Sequence, residues 1–404
     1  MPWSEGRVDE RKKVIALWEA GWTPTELAGR FGVSRPTIYS LIERWQEHGE
    51  GGLEDQSRRP HSNSRQTSAE TTAALLHVKD RHPGYGPDKP VRLLADDGVV
   101  LSASTARDIL RRNGRVEARR ARPPKWSPAV TPTIAVPSVG HSMSADHKGQ
   151  FLLANGTYCY PLTIADPASR YVFAVDAHTS TRVAPSKRVF ERVFREWGLP
   201  EQIITDNGIP FCTARALGGL TELSKWWIKL GIQHVRTQPG RPQQNGIHER
   251  MHRTLKRDAT EPPAANRRAQ QRRFDKFLHE FNHIRPHQAL GQERPASLVK
   301  PYRRKFPDRL PATEYPSSFD VRRVRTNGTI KWKGELLFVS LVLRDELVAM
   351  LQIEEELWAV YFGPVHLATW NEKRRKFEPP AERLPKDLPA SPPARRTTSV
   401  GDEV

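Results

Sequence analysis

The chain has 404 residues, with 64 Lys or Arg against 46 Asp or Glu, and a formal charge of +18 at neutral pH. Such a surplus favours polyphosphate partners through general electrostatic attraction. Two cysteines, Cys159 and Cys212, exclude a disulfide framework and a zinc site built from cysteine alone.

No apolar run approaches membrane-spanning length, and the first residues, Met-Pro-Trp-Ser-Glu-Gly-Arg, lack an apolar signal region. The expectation is a soluble cytoplasmic protein with no membrane partner, made of several domains.

Residues 8–48 predict three short helices. Val14, Leu17 and Trp18 form an apolar stripe at helical spacing. Thr23-Pro24-Thr25-Glu26 is a capping box with proline at the first helical position. The helix it starts turns Leu27, Ala28 and Phe31 inward and ends near Gly32. Ser34 then caps a third helix, with Ile38, Leu41, Ile42 and Trp45 for the core. This is the helix-turn-helix pattern, whose second helix reads the major groove. Arg35, Thr37, Ser40 and Arg44 are its candidate DNA contacts; a three-helix scaffold that binds nothing is the alternative.

Residues 100–109 can be laid over residues 32–41, with a capping serine, a threonine three residues on and an apolar residue in matching places. Residues 79–98 would supply the preceding helices, turned at Pro83-Gly84-Tyr85-Gly86-Pro87. Ser104, Arg107, Arg111 and Arg112 are the DNA-facing candidates of this second unit. Residues 50–67 and 115–137 are polar or basic and Pro-rich. They read as extended tethers that lie along phosphates or are simply solvated.

The middle of the chain alternates strand-like and helix-like runs. Strands are expected at 151–153, 160–165, 171–175, 202–205 and 233–236, and helices at 186–197, 219–230 and 243–258. That order suits a mixed sheet flanked by helices. In the last helix, Glu249, Arg253, Lys256 and Arg257 fall on one broad face at α-helical spacing. After Pro295 short alternating runs appear, broken by Asn327-Gly328 and Gly363-Pro364, which predicts a small β-barrel. From Pro379 the sequence is Pro-rich, charged and aperiodic, and reads as a disordered tail. The expected division is 1–50 and 66–115 as two helix-turn-helix domains, 116–139 as linker, 140–300 as an α/β core, 316–378 as the β-barrel and 379–404 as the tail.

Three acids stand in distinctive surroundings: Asp146 in Ser-Ala-Asp-His-Lys-Gly-Gln-Phe, Asp206 in Ile-Ile-Thr-Asp-Asn-Gly-Ile-Pro-Phe, and Glu249 in Asn-Gly-Ile-His-Glu-Arg-Met-His-Arg-Thr-Leu-Lys. Carboxylates amid so many cations can hold divalent metal while Lys and Arg hold a polyanion. With Tyr-Pro-Leu-Thr-Ile-Ala-Asp-Pro-Ala-Ser-Arg-Tyr (160–171) and Phe-Asn-His-Ile-Arg-Pro-His-Gln-Ala-Leu (281–290), these motifs occur in an order that resembles the integrase-type DDE transposases of bacterial insertion sequences, relatives of retroviral integrases.

The resemblance implies a multidomain protein with helix-turn-helix units, a ribonuclease H-like core and an SH3-like β-barrel. Asp146, Asp206 and Glu249 would be its catalytic and metal-binding triad, holding two Mg²⁺ ions, with Mn²⁺ able to substitute. Arg253, Lys256 and Arg257 would hold DNA beside it. The implied activity is binding of terminal inverted repeats, 3′-end cleavage and strand transfer. The implied partners are double-stranded DNA, both element ends and target, and further copies of the chain, in a nucleoid-associated homo-oligomer.

Other readings remain open from the residues themselves: a helix-turn-helix regulator with an inactive core, or a ribonuclease H-like DNA nuclease. His147, His178, His248 and His252 are candidates for acid–base or metal roles, but each is read as a phosphate contact or surface histidine in preference. His279, His283 and His287 sit at four-residue spacing, but Pro286 interrupts their helix and argues against zinc. Asp166 is expected to pair with Ser169 or Arg170 in a turn.

Overall fold

The computed structural model describes residues 7–55, 66–116, 138–214, 216–238 and 246–380. They divide into two compact units after Glu70. Most of the expected tether at 115–137 and nearly all of the tail lie outside the described residues.

The first unit contains α1 (Arg7–Glu19), α2 (Pro24–Phe31) and α3 (Arg35–His48). Its capping box forms as expected. Glu26 N donates to Thr23 Oγ1, and Thr23 N donates to Glu26 Oε2 at 2.9 Å. Gly32, with φ of 63°, ends α2 in the left-handed conformation that a side chain would resist. Ser34 opens α3, but its hydroxyl meets Thr37 Oγ1 at 2.8 Å instead of a backbone amide. Val14, Ile15, Leu27, Ile38, Leu41 and Leu53 close the core, while Leu17 and Trp18 pack at its edge. Leu53 belongs to a stretch expected to be polar linker. A 3₁₀ turn at Gly49–Leu53 folds it inward, tied by Arg11 Nη1 to the Leu53 carbonyl at 2.6 Å.

The second unit begins with α4 (Ala69–Arg81), α5 (Asp88–Asp96) and α6 (Ala103–Arg112) around Leu75, Leu94, Ala106, Ile109 and Leu110. Ser102 caps α6 by accepting from Thr105 N at 3.1 Å. A mixed sheet follows, built from β1 (Ser142–His147), β2 (Phe151–Leu152), β3 (Tyr158–Ala165), β4 (Val172–His178), β5 (Gln202–Thr205) and β6 (Gln233–Arg236). β1 lies between β3, antiparallel to it, and β5, parallel to it; β6 continues the parallel half, and β2 and β4 both pair with β3. For β1 the sequence places Asp146 in or just after a short strand-like run but gives that strand no bounds, because Ser-Met-Ser-Ala carries little apolar alternation. Its residues 142–145 are nonetheless all buried, as a central strand requires.

Two helical layers cover the sheet. On one face α7 (Val183–Trp197) and α8 (Glu222–Lys229) place Phe190, Phe194 and Trp227 against Met143, Ile164 and Ile203. Truncating one of these buried rings to Ala would cost about 3–5 kcal/mol. On the other face α9 (Gly246–Leu255) and α10 (Arg267–His279) set Met251, Leu255, Phe274 and Phe277 against Cys159, Val175 and Ala177. The helix expected at 243–258 is interrupted: α9 ends at Leu255 and passes into a π-helical turn, Lys256–Thr260. This wider turn breaks the phase that would have aligned Arg257 with Glu249.

After α11 (Pro295–Leu298), β7 (Asp320–Arg323), β8 (Thr329–Trp332), β9 (Glu335–Phe338), β10 (Leu347–Glu354), β11 (Leu357–Phe362), β12 (Val365–Asn371) and β13 (Lys376–Glu378) form the expected small all-β part. It is a five-stranded antiparallel sheet, β13-β12-β11-β10-β7, with a β8-β9 hairpin. Ile330, Trp332, Met350, Trp358, Val360 and Phe362 fill a shared core. The Asn327-Gly328 signal marks the turn before β8: Gly328 has φ of 80°, and Asn327 Oδ1 accepts from Thr329 N at 3.2 Å. Among the described residues, no helix is long and apolar enough to cross a membrane.

Candidate active site

Sheet register brings two of the three acids to neighbouring places. Ala145 of β1 faces Thr205 of the parallel β5, so Asp146 and Asp206 each follow one member of that pair. Asp206 is held by its own turn, its Oδ1 accepting from Gly208 N at 3.0 Å. A side chain at Gly208 would press its Cβ to 3.0 Å from Asp206 Oδ2, so glycine leaves that carboxylate room. Glu249 stands exposed in the first turn of α9, and the segment leading into it, residues 239–245, lies outside the described residues.

Among the described residues, one acid–histidine group could hold a metal ion, and the sequence did not favour it. Ligand atoms of Asp146, His248 and His252 all lie within 4.8 Å of one another; among the described residues Asp206 and Glu249 belong to no such group. The two histidines are i, i+4 partners on the face of α9 turned toward the sheet. His248 is 2% exposed, which corrects the surface reading, and His178 and His147 are likewise buried or half-buried. Burial pushes His248 down to about 4, against an upward pull from the Ser144 backbone. His252 is pushed to about 3 by burial and by His248, Lys148 and His147 nearby. His147 falls to about 4 for the same first reason, with His178 adding to it.

Neutral imidazoles so placed are potential ligands. Thr163 Oγ1 donates to the Asp146 backbone oxygen at 3.0 Å, which uses its only proton. His252 Nε2, 2.8 Å from the same hydroxyl, must therefore donate, leaving the Nδ1 lone pair facing Asp146 Oδ2 at 3.9 Å. Two acceptors face each other across a gap that a cation fits. His248 Nε2 is also buried with no hydrogen-bond partner, a further free donor for a metal ion. The residues present thus fit a divalent cation.

A model of the integrase core domain matches residues 138–242, and a second integrase core model matches residues 230–295. Models of a helix-turn-helix domain and a homeodomain-like domain match residues 10–61 and 37–110. Transposase InsD for insertion element IS2-9 of Escherichia coli (strain K12) is 24% identical over 312 residues, 74% of this chain and 95% of that one. Residues 138–295 of this chain thus match integrase core domains, behind helix-turn-helix matches nearer the front. It is also 34% identical over 103 residues to the Gag-Pol polyprotein of baboon endogenous virus (strain M7), matching 26% of this chain and only 6% of that polyprotein's length. Among solved structures, the simian T-cell lymphotropic virus intasome in complex with PP2A regulatory subunit B56 gamma gives a TM-score of 0.36 at 17% identity, over 76% of this chain and 95% of that one.

The candidate DNA-reading residues differ in availability. Arg35 opens α3 exposed, and Ser40, five residues on, is exposed too. Thr37 is occupied by Ser34. Arg44 is turned back on its own unit, donating to the carbonyls of Gly52 and Glu54, the latter at 2.6 Å. On α6, Ser104, Arg107, Arg111 and Arg112 are all exposed, with Arg111 paired to Asp108 at 3.2 Å. Near Glu249, Arg253 is exposed and Lys256 pairs with Glu261 at 3.2 Å. Arg257 departs from the expected face: it pairs with Asp258 at 2.5 Å and packs on Gly84, where a Cβ would come within 2.3 Å of it. The three C-terminal histidines make no metal group: His279 stacks on His283, while His287 Nε2 meets the Phe281 carbonyl at 3.2 Å. Asp166 takes its expected turn role, accepting from the Ala168 and Ser169 amides at 2.7 and 3.3 Å.

Proposed function

We propose that the chain is a DNA transposase that binds the terminal inverted repeats of a mobile element and catalyses metal-dependent 3′-end cleavage and strand transfer. The observation that carries this reading is the parallel register of β1 and β5, which sets Asp146 and Asp206 side by side in an integrase core. With Glu249 on α9 they would hold two Mg²⁺ ions. Bound there, such ions make a water or a 3′-hydroxyl nucleophilic near neutral pH and stabilise the leaving oxygen.

The rest of the task falls to the chain's own side chains. Thr163 pins the Asp146 backbone, and His252 in turn holds Thr163. Arg253 and Lys256 grip the strand's phosphates beside Glu249. Arg35 and Ser40, and Ser104, Arg107 and Arg111 on the second helical unit, read element ends at base edges and backbone. No residue is needed as a covalent nucleophile. The division into two readers (1–50 and 66–115), a catalyst (140–300) and a β part (316–378) follows from these roles. The site of action is the bacterial cytoplasm, at the nucleoid. Because both element ends must join nearby target positions, the working form is at least a dimer on DNA.

A second ligand set is favoured by the facing acceptors of Asp146 and His252: one ion held by Asp146, His248 and His252. Strand transfer with a pre-cleaved element end decides between them. Loss of joining in Glu249→Gln with retention in His252→Gln supports the carboxylate triad; the reverse supports the imidazole set.

A further inference from the structure

Beside α9, a cavity of about 210 Å³ opens between α5, α9 and the segment that follows α10. Lys89, Arg170, His248, Arg250, Arg285 and His287 line it, and no carboxylate does. Arg285 is 9% exposed, and its only acid partner among the described residues is Asp258 at 3.5 Å. Lys89, Arg170 and Arg250 form no ion pair among the described residues. The floor is apolar, formed by Val172, Met251 and Phe281 among others.

Asp258, Glu280 and Asp166 lie near enough to act on these cations but do not line the recess, so four cations meet there with no acid among them, which is costly unless an anion completes it. The groups themselves register the surplus. Burial, then Arg285 and Arg257, lower Lys89 to about 7, and burial followed by Lys89 lowers His287 to about 4. Tyr85 fixes two of the cations in place, with Lys89 Nζ at 5.2 Å and Arg285 Cζ at 5.0 Å from its ring centre.

We propose that this cavity binds a nucleotide unit, its phosphate held by Lys89, Arg170, Arg250 and Arg285 and its base laid on the apolar floor. The phosphate ester is the recognised chemistry; a strand of DNA or a free mononucleotide could supply it. The inference rests on the DNA-handling reading only for its preferred source, the strand. Of the two helical readers, the one at 66–115 would then share a ligand with the catalytic core directly.

The test uses the full chain in EDTA, by calorimetry, with deoxythymidine monophosphate, thymidine and a short single-stranded thymidine oligonucleotide as probes. Charged hydrogen bonds to phosphate are each worth about 1.5–3 kcal/mol, so Lys89→Gln and Arg250→Gln should each weaken nucleotide binding about tenfold or more. Arg250 is exposed on α9, so its replacement leaves the fold intact. Thymidine should not bind. Tighter binding of the oligonucleotide than of the mononucleotide assigns the strand as source; equal binding assigns a free nucleotide. Unchanged affinity in both variants overturns the proposal. So does an equal loss on Arg188→Gln, an exposed α7 cation outside the cavity, which would reveal general charge attraction. Strand transfer by Asp146→Asn is read separately: its survival would sink the catalytic reading while leaving the cavity result untouched.

Discussion

His252 Nε2 and the Thr163 hydroxyl lie 2.8 Å apart, although 89 residues separate them in the chain. This bond decides the tautomer of His252 and, through the Thr163 bond to the Asp146 backbone, sets the first acid's position. Removing the hydroxyl with Thr163→Val should raise the Mg²⁺ concentration needed for strand transfer by about 10–100-fold, the range for losing an outer-shell partner. A metal titration of strand transfer measures it; an unchanged Mg²⁺ requirement would make Thr163 a packing residue only.

Asp146→Asn, Asp206→Asn and Glu249→Gln should each lower cleavage and strand transfer by more than about 100-fold, since an amide is a poor ligand for a hard cation. Binding of element-end duplex, followed by anisotropy, should stay within about twofold of the parent, because each swap adds no charge that repels phosphate. Normal joining by any one variant removes that residue from the triad.

Arg35→Ala and Arg44→Ala should behave differently, despite lying on the same helix. Arg35 is exposed at the start of α3, so its loss should relax base preference more than it lowers general affinity. Arg44 donates to the carbonyls of Gly52 and Glu54, so its loss should destabilise the first unit by about 1–3 kcal/mol. Thermal unfolding and competition between element-end and random duplex separate the two. Equal binding of both duplexes by the parent protein would remove the sequence-reading role.

Acidification should destabilise the core through His234. Burial, with Arg236 alongside, holds this histidine at about 4, while an unfolded histidine titrates near ~6.5. Between those values the unfolded chain binds more protons, so stability is complete above about pH 6.5 and falls as the pH drops toward 4. His234 also meets Thr205 Oγ1 at 2.8 Å, at the end of the strand that carries Asp206. His234→Gln keeps a hydrogen-bonding group and removes the titration, so its melting temperature should change less across that window. An identical pH dependence would place the acid sensitivity elsewhere.

Catalysis is expected in trans between copies of the chain. Mixing Arg35→Ala/Arg107→Ala, defective in reading, with Glu249→Gln, defective in chemistry, should recover strand transfer that neither shows alone. A single-chain mass by light scattering on end-bound complexes would rule this out.

The local signals were legible in the sequence because their causes are local. The Thr23–Glu26 box, the left-handed Gly32 and the Asn327-Gly328 turn each act within a few residues, and the structure shows all three. The order of strands and helices in the core was readable for the same reason, with β1, whose small polar residues carry little alternation, legible only as an unbounded strand-like run at Asp146. What only the tertiary structure decided depends on register and packing between distant segments. Pairing of Asp146 with Thr163 across β1 and β3 brings α9's His248 and His252 onto the first acid, so histidines read as surface groups became buried and neutral. The π-helical turn after Leu255 turned Arg257 away from Glu249 and onto Gly84. The cationic cavity likewise needs α5 set against α9 and the segment 281–289. Such arrangements follow from where whole elements pack and which charges are then shut away from water, and no periodicity within one segment encodes them.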